Sequence, residues 1–343
     1  MPIITALGGG SAKGLGFGGG KNPPVSFDYL VVAGGGHGGD SYDGAGAGGA
    51  GGLRTSFPGG TQIELDAGNY SITVGAGGAP STPGVLSYSA APVSTDRNYT
   101  NGNPSTFSNI TATGGGKGGN INVVSAGSGG SGGGGGSNYN SGSQPGAAGN
   151  AGGYSPSEGN PGGNGDGTQR NDLGFGGGGG GGHNASGSNG GPGGTGGPGG
   201  SGTASNITGS PVYYAGGGGG GVYNGGNPYA PPGIGGTGGT GGGGQGAPTT
   251  GVRAFVPGGT PGFAAQANTG GGGAGTCYQQ DVINDVTPAA NQPYGYAGGS
   301  GIVVLRAPSG SKFKVTPGTN TITTDGPTGD KIAIFNVSGT LTI

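Results

Sequence analysis

Residues 190–202 read Gly190-Gly191-Pro192-Gly193-Gly194-Thr195-Gly196-Gly197-Pro198-Gly199-Gly200-Ser201-Gly202. Two of every three positions carry no side chain. A three-residue period matches the polyproline-II helix, which has about 3 residues per turn and rises roughly 3.1 Å per residue. A second such run occupies 235–244. Glycine supplies 105 of the 343 residues, so these runs are the extreme of a habit that extends along the chain. Rods of this kind, stripped of side chains, can pack by main-chain contact alone. The triplets therefore predict a rigid scaffold in which Pro192, Thr195, Pro198 and Ser201 face outward.

Composition narrows the alternatives. With 105 glycines and 25 prolines the chain has the content of a low-complexity segment. Disordered chains of that kind stay open through net charge, yet only 7% of residues here are charged and the net charge is −2. Collagen needs glycine at every third position, whereas these runs place it at two of three and break between runs. Only 28% of residues are hydrophobic and tryptophan is absent, which argues against a conventional apolar core spanning the chain.

Ordering one residue costs roughly 1–2 kcal/mol of backbone entropy, and glycine lies at the expensive end. Side-chain burial cannot offset that here. Hydrogen bonds between rods, each worth about 0.5–1.5 kcal/mol net, and Cα–H···O contacts must do so cooperatively. The expected fold is thus mainly irregular and all-β. It comprises a layered bundle of polyglycine-II rods with short β-strands, a small C-terminal antiparallel meander and almost no α-helix, since glycine disfavours helix interiors by roughly 1 kcal/mol each.

The strand-like segments are short and run into glycine: Phe27–Ala33, Tyr70–Val74, Ser105–Thr113, Ser205–Ala215 and Ser300–Arg306. They are rich in Val, Ile, Thr, Tyr and Phe, which suit a pleated, half-buried surface. Three parts follow: a leader over 1–22, a glycine-rich body over 23–308, and a C-terminal unit over 309–343. The last reads as a self-contained meander because Pro317-Gly318, Asp325-Gly326-Pro327 and Ser338-Gly339 separate its alternating segments. Strands that pair with a neighbouring subunit are the other reading. Insertions at 83–103, 137–144, 154–173, 222–234, 245–268 and 276–296 read as protruding loops.

Eleven basic and thirteen acidic residues leave no electrostatic footprint for nucleic acid. No apolar run is long enough for a membrane helix, and the N-terminus lacks a basic, apolar leader. Cys277 is alone, so no internal disulfide forms. Gly-X-Gly-X-X-Gly recurs by chance in so glycine-rich a chain and lacks a strand–turn–helix context. Lys21 precedes Asn22 and Lys117 precedes Gly118, which excludes a P-loop. Gly35 to Asp43 fits a calcium-binding nonapeptide, but that motif works by tandem stacking and this copy is solitary; a loop with solvated carboxylates is the plainer reading. His37 and His183 are embedded in glycine and read as surface residues. No zinc ligand set and no nucleophile elbow is present. The expectation is no enzyme, no cofactor and no metal.

Seven tyrosines lie in the insertions among Asn, Gln, Ser and Gly: Tyr139, Tyr154, Tyr223, Tyr229, Tyr278, Tyr294 and Tyr296. Rigid aromatic area beside adaptable polar groups is the chemistry of binding loops. Rings packed as lids over the glycine layers would use the same residues.

The segments 27–36, 70–78, 105–116 and 298–306, in that order, resemble the glycine-rich domain of bacteriophage structural proteins, frequent in marine phages and especially those of cyanobacteria. Glycine runs parted by variable tyrosine loops are also similar in architecture to the polyglycine-sandwich adhesins at the tips of long tail fibres in T-even-like phages. The resemblance implies a virion protein: a tail-fibre or fibre-tip adhesin that contacts a host receptor (a glycan or an outer-membrane protein) and other virion subunits, with a homo-oligomer possible. A capsid decoration or tail collar subunit is the alternative it leaves. An ice-binding protein, suggested by short rows such as Thr195, Thr237 and Thr240, is a more remote one.

Overall fold

A computed structural model describes residues 23–40, 44–79, 99–120, 124–137, 143–167, 174–223, 233–246, 262–276 and 295–343. The leader 1–22 lies outside them. The described residues contain no α-helix, and fifteen short strands alternate with long stretches that are neither helix nor strand.

Those stretches are threefold rods, as their hydrogen bonds show. Ala33, Gly36 and Gly39 donate to Gly52, Gly49 and Gly46 at 3.0, 2.8 and 2.7 Å. Gly34 and His37 donate to Asn103 and Thr100, and Gly35 and Gly38 to Gly299 and Tyr296. Every third residue therefore addresses the same neighbour. A β-strand, with period two, would address one neighbour at every second residue. Rod 33–39 also accepts from Gly115 and Gly118 on a fourth neighbour, from Gly273 and Thr276 on a fifth, and from Gly78 on a sixth. It is enclosed on all sides, and residues 33–40 are buried.

Rod 44–52 is enclosed in the same way. It donates to 270–276, 113–119 and 178–181, and accepts from 33–39, 131–137 and 218–221. Its neighbours 33–39, 113–119 and 270–276 run antiparallel to it, whereas 178–181 runs parallel. The absence of side chains is what permits this closeness. A Cβ on Gly48 would land on the Gly36 carbonyl, and one on Gly36 on the Gly116 carbonyl. The exclusion is positional, because Ala45, Ala47, Ala50 and Ala274 are fully buried in the same rods.

The Gly-Gly-X triplets mark the outer rods. Gly196, Gly199 and Gly202 donate to Ile234, Thr237 and Thr240, while Gly197 and Gly200 donate to Gly177 and Gly180. The third row of each triplet has no rod beyond it. Pro198 sits there, where its missing N–H deprives nothing, and Pro192, Thr195 and Pro198 are exposed while Ser201 is half-buried. The X side chains thus close a lattice that bare glycine could extend. Gly193 and Gly194, with φ of +74° and +71°, turn the chain into this rod.

The strands gather at one end of the bundle. In chain order they are β1 (Val25–Val32), β2 (Leu53–Thr55), β3 (Ile63–Leu65), β4 (Asn69–Thr73), β5 (Ser105–Phe107), β6 (Ile110–Ala112), β7 (Phe175–Gly176), β8 (Thr203–Ser205), β9 (Val212–Tyr214), β10 (Val222–Tyr223), β11 (Ile302–Ala307), β12 (Lys314–Thr316), β13 (Thr321–Thr324), β14 (Lys331–Phe335) and β15 (Gly339–Thr342). All but the small β7–β10 pair belong to this end. One sheet has the order β13-β14-β11-β1-β2, with β3 also on β1, and a second has the order β12-β15-β4-β5-β6. β8 and β9 form a separate hairpin.

An ordinary apolar core joins these sheets. Phe27, Val31, Val303, Leu305 and Phe335 from the first pack with Ile72, Phe107, Ile110 and Leu341 from the second. The opposite face of the first sheet carries Leu30, Val32, Val304 and Ile332, and it packs on Ile207, Tyr214 and Ala215. β11 alternates between the two faces and is buried throughout.

The expected self-contained C-terminal meander is not what forms. β14 pairs with β11 from Val303↔Phe335 to Ala307↔Lys331, whereas β15 pairs with β4 from Gly339↔Ile72 to Thr342↔Asn69. Only β13–β14 is a local hairpin. The turns favour local pairing, but Phe335 and Leu341 are buried completely only between the sheets that begin with β1 and β4. The insertion reading also needs correction in part, since 160–166 is a rod: Gly162 donates to Ala147 and Gly163 to Gly179.

Candidate functional site at the loop-bearing end

The rods alternate in direction, and hydrogen-bond register fixes which ends lie together. Gly39 donates to Gly46, His37 to Thr100, Gly38 to Tyr296 and Thr276 to Gly39. Ser137 donates to Gly44, Asp166 to Gly176, Gly177 to Gly221 and Gly246 to Gly236. The residues flanking 41–43, 80–98, 121–123, 138–142, 168–173, 224–232, 247–261 and 277–294 therefore all lie at the end remote from the two sheets. At the sheet end the rods are joined by compact connections such as the β5–β6 and β8–β9 hairpins. The chain thus makes a block with one woven end and one end from which its longest insertions leave.

A side-chain seam crosses the loop-bearing end. His37 is fully buried, its Nδ1 lies on the Gly38 carbonyl oxygen and its ring is tilted against Tyr99 at 5.5 Å between centroids. The Lys117 ammonium lies 5.5 Å from the other ring centroid of that pair, Tyr99. Asp40, 4% exposed, accepts from the Gly295 amide at 2.9 Å. Burial lowers the His37 pKa below 6.5, and the Gly38 backbone, the Asp40 charge and the Gly295 backbone oppose that shift only in part. The Asn120 Oδ1 accepts from the Val124 amide at 2.6 Å. The arrangement is a buried junction of four chain segments around one imidazole.

Two expectations are corrected here. His37 is interior because rod 33–39 is enclosed on every side, a fact that its glycine neighbours in sequence did not reveal. Asp40 is buried against a backbone amide, so it is not a solvated loop carboxylate. Among the described residues no group of three or more His, Cys, Asp or Glu is placed to hold a metal ion.

The tyrosines divide. Tyr296 is half-buried at the loop-bearing end. The backbone of Tyr223 is there too, paired with Phe175. Tyr154 is at the sheet end, half-buried, with the Arg54 guanidinium 4.1 Å from its ring centroid. That ring covers the turn at 150–158, where Glu158 is tied by the amides of Thr113 and Gly152. Tyr139, Tyr229, Tyr278 and Tyr294 lie outside the described residues. Sequence reasoning missed Tyr99, which lies within the insertion 83–103, and Lys117, the one side chain inside the glycine run 114–119.

No helix of the described residues is long and apolar enough to cross a membrane. No curated protein and no solved structure matches the chain. A family model for a glycine-rich domain matches residues 23–308, from just before β1 to just after β11, and the chain belongs to that glycine-rich domain family.

Proposed function

We propose that the chain is a phage virion protein that presents loops to a host surface from the end of a rigid polyglycine-II block, as a tail-fibre or fibre-tip adhesin. The observation that carries this reading is the segregation of the long insertions to one end. A lattice tied by main-chain hydrogen bonds holds the spacing of its rod ends, so the points from which the insertions start are fixed relative to one another, and fixed anchor points reduce the entropy lost on binding. The insertions carry tyrosine with Asn, Ser and Gly, the mixture that supplies aromatic area and adaptable polar contacts. The partners would be a glycan or outer-membrane protein on the host, and other virion subunits.

Replacing 225–231 and 279–292 with Gly-Ser linkers of equal length tests it. Adsorption of reassembled particles is expected to fall by at least about tenfold, equivalent to about 1.4 kcal/mol of binding, with the melting transition unchanged. Normal adsorption by a folded variant would remove the adhesin role. A particle reconstruction that placed the chain on the capsid or tail collar would replace it with a structural one.

A further inference from the structure

We propose that His37 is a proton-operated latch: neutral, it locks the seam between rods 33–39, 100–103 and 295–299, and protonated, it opens that seam at the loop-bearing end. The latch is a property of the seam itself and holds whatever the loops contact.

The geometry has three parts. First, His37 is fully buried and its Nε2 has no hydrogen-bond partner, while its Nδ1 is committed to the Gly38 carbonyl. A neutral imidazole can leave one nitrogen bare at modest loss, but an imidazolium carries a second N–H that requires an acceptor. Second, what lies beside the ring does not offset its burial: the Gly38 backbone, the Asp40 charge and the Gly295 backbone all favour the proton, yet desolvation outweighs them, and Tyr99 lies against the ring. Third, the backbone of residue 37 is itself a knot, since its N–H donates to Thr100 and its carbonyl accepts from Gly118. A ring forced toward solvent pulls on rods 100–103 and 113–119 together.

Among the described residues, the charged and titratable groups around the ring define the response. Asp40 on the same rod favours the proton, but its Oδ1 already accepts from Gly295. Lys117, from rod 113–119, sets a cation over Tyr99 and disfavours a second cation nearby. Tyr99 contributes an aromatic ring packed on the imidazole. Rods 46–49, 75–79 and 270–276 bring no titratable side chain to the seam. Desolvation is the dominant influence and holds the imidazole neutral below 6.5. An opened seam rehydrates the ring and restores its ordinary affinity for protons. Acid therefore drives opening, by up to about tenfold per pH unit between the open and closed pKa values. The other histidine, His183, sits at the sheet end, where its Nδ1 meets Thr203 Oγ1 at 2.6 Å. The two sites can thus be told apart by position.

Amide hydrogen exchange on the full-length chain between about pH 7.5 and 5 tests the latch. Protection factors at Gly38, Gly118, Gly295 and Tyr296 are expected to fall by about tenfold or more on acidification, while those of rod 176–182 hold. His37→Phe keeps an aromatic ring against Tyr99 and cannot take a proton, so it is expected to abolish the fall. His183→Asn is expected to leave it intact. Flat protection in the wild type, or an undiminished fall in His37→Phe, overturns the proposal. Should His37→Phe not fold, NMR titration of the wild type decides. The His37 Cε1–H signal and the Gly295 amide must then move with one midpoint below 6.5, and an imidazole that titrates while Gly295 stays still refutes the latch.

Discussion

Arg306 on β11 and Asp325 just beyond β13 meet at 2.6 Å, and both are nearly buried. The guanidinium also reaches Asp330 at 3.0 Å, Thr328 Oγ1 at 2.9 Å and the Ile207 carbonyl at 3.4 Å. One side chain therefore ties the β13–β14 turn to the β8–β9 hairpin, and through it the C-terminal strands to the glycine-rich body. Nothing near Arg306 in the chain marks this role, because its partners lie 19, 24 and 99 residues away.

Acid should loosen this tie. The Thr328 hydroxyl, then Arg306, hold the Asp325 carboxyl below its ordinary 3.8 in the folded chain. A depressed folded pKa gives stability that is present in full above the unfolded value and is lost as pH falls through the folded one. The urea midpoint is expected to drop below about pH 4, and Asp325→Asn is expected to lower the midpoint at neutral pH and flatten that acid limb. An unaltered limb in Asp325→Asn would assign it to other carboxylates.

The interior glycines should be unequal. Gly48→Ala drives a methyl onto the Gly36 carbonyl between two enclosed rods, and the carbonyl is itself bonded, to the Gly273 amide. Overpacking of this kind costs about 1–3 kcal/mol and more where backbone cannot yield. Gly326→Ala has nothing within 4 Å of the new methyl and no positive φ, and its effect is expected to stay within about 0.5 kcal/mol. Equal melting temperatures for the two variants would mean that the rods are far looser than their hydrogen bonds imply.

Proline scanning should reproduce the triplet rule. Thr237 occupies an outward X position of rod 233–240, and no hydrogen bond uses its N–H. Thr237→Pro is expected to be neutral or to stabilise by about 0.4–1 kcal/mol through the unfolded state. Gly236→Pro removes the bond from Gly236 to Gly220 and places a ring against that rod; a loss of about 3 kcal/mol is expected. The measurement is the urea midpoint of each variant. Destabilisation of similar size in both would contradict a threefold register.

The threefold rods were legible because the triplets carry their period on the surface of the sequence, with Pro198 and Thr195 at the positions a rod must leave open. The all-β character followed from glycine and from the β-branched segments. What could not be read was which rod neighbours which. Gly36 and Gly49 look alike in sequence, yet one addresses residue 49 and the other residue 116, and with no side chains nothing local encodes the choice. The enclosure of His37 and Asp40 depends on that assignment and was hidden with it. The partners of the C-terminal strands were hidden for another reason. Their alternation specifies a buried face but not the sheet that covers it, so Phe335 and Leu341 pointed to burial without revealing β11 and β4.

Removal of 309–343 should show that these strands are integral. Without β14 and β15, β11 and β4 each lose one of their two ladder partners and expose unpaired edges of the kind that promote aggregation. The core between the sheets also loses Phe313, Phe335 and Leu341, which lie at 9%, 0% and 0% exposure. Burying one such side chain is worth roughly 1.5–3 kcal/mol, against a total stability for a domain of about 5–15 kcal/mol. The truncated chain is therefore expected to aggregate or to unfold without a cooperative transition, and the intact chain to melt with the C-terminal strands and the sheet end in one step. A soluble, cooperatively melting fragment 23–308 would show instead that the rods sustain the fold without this core, and that the C-terminal strands are an addition to it.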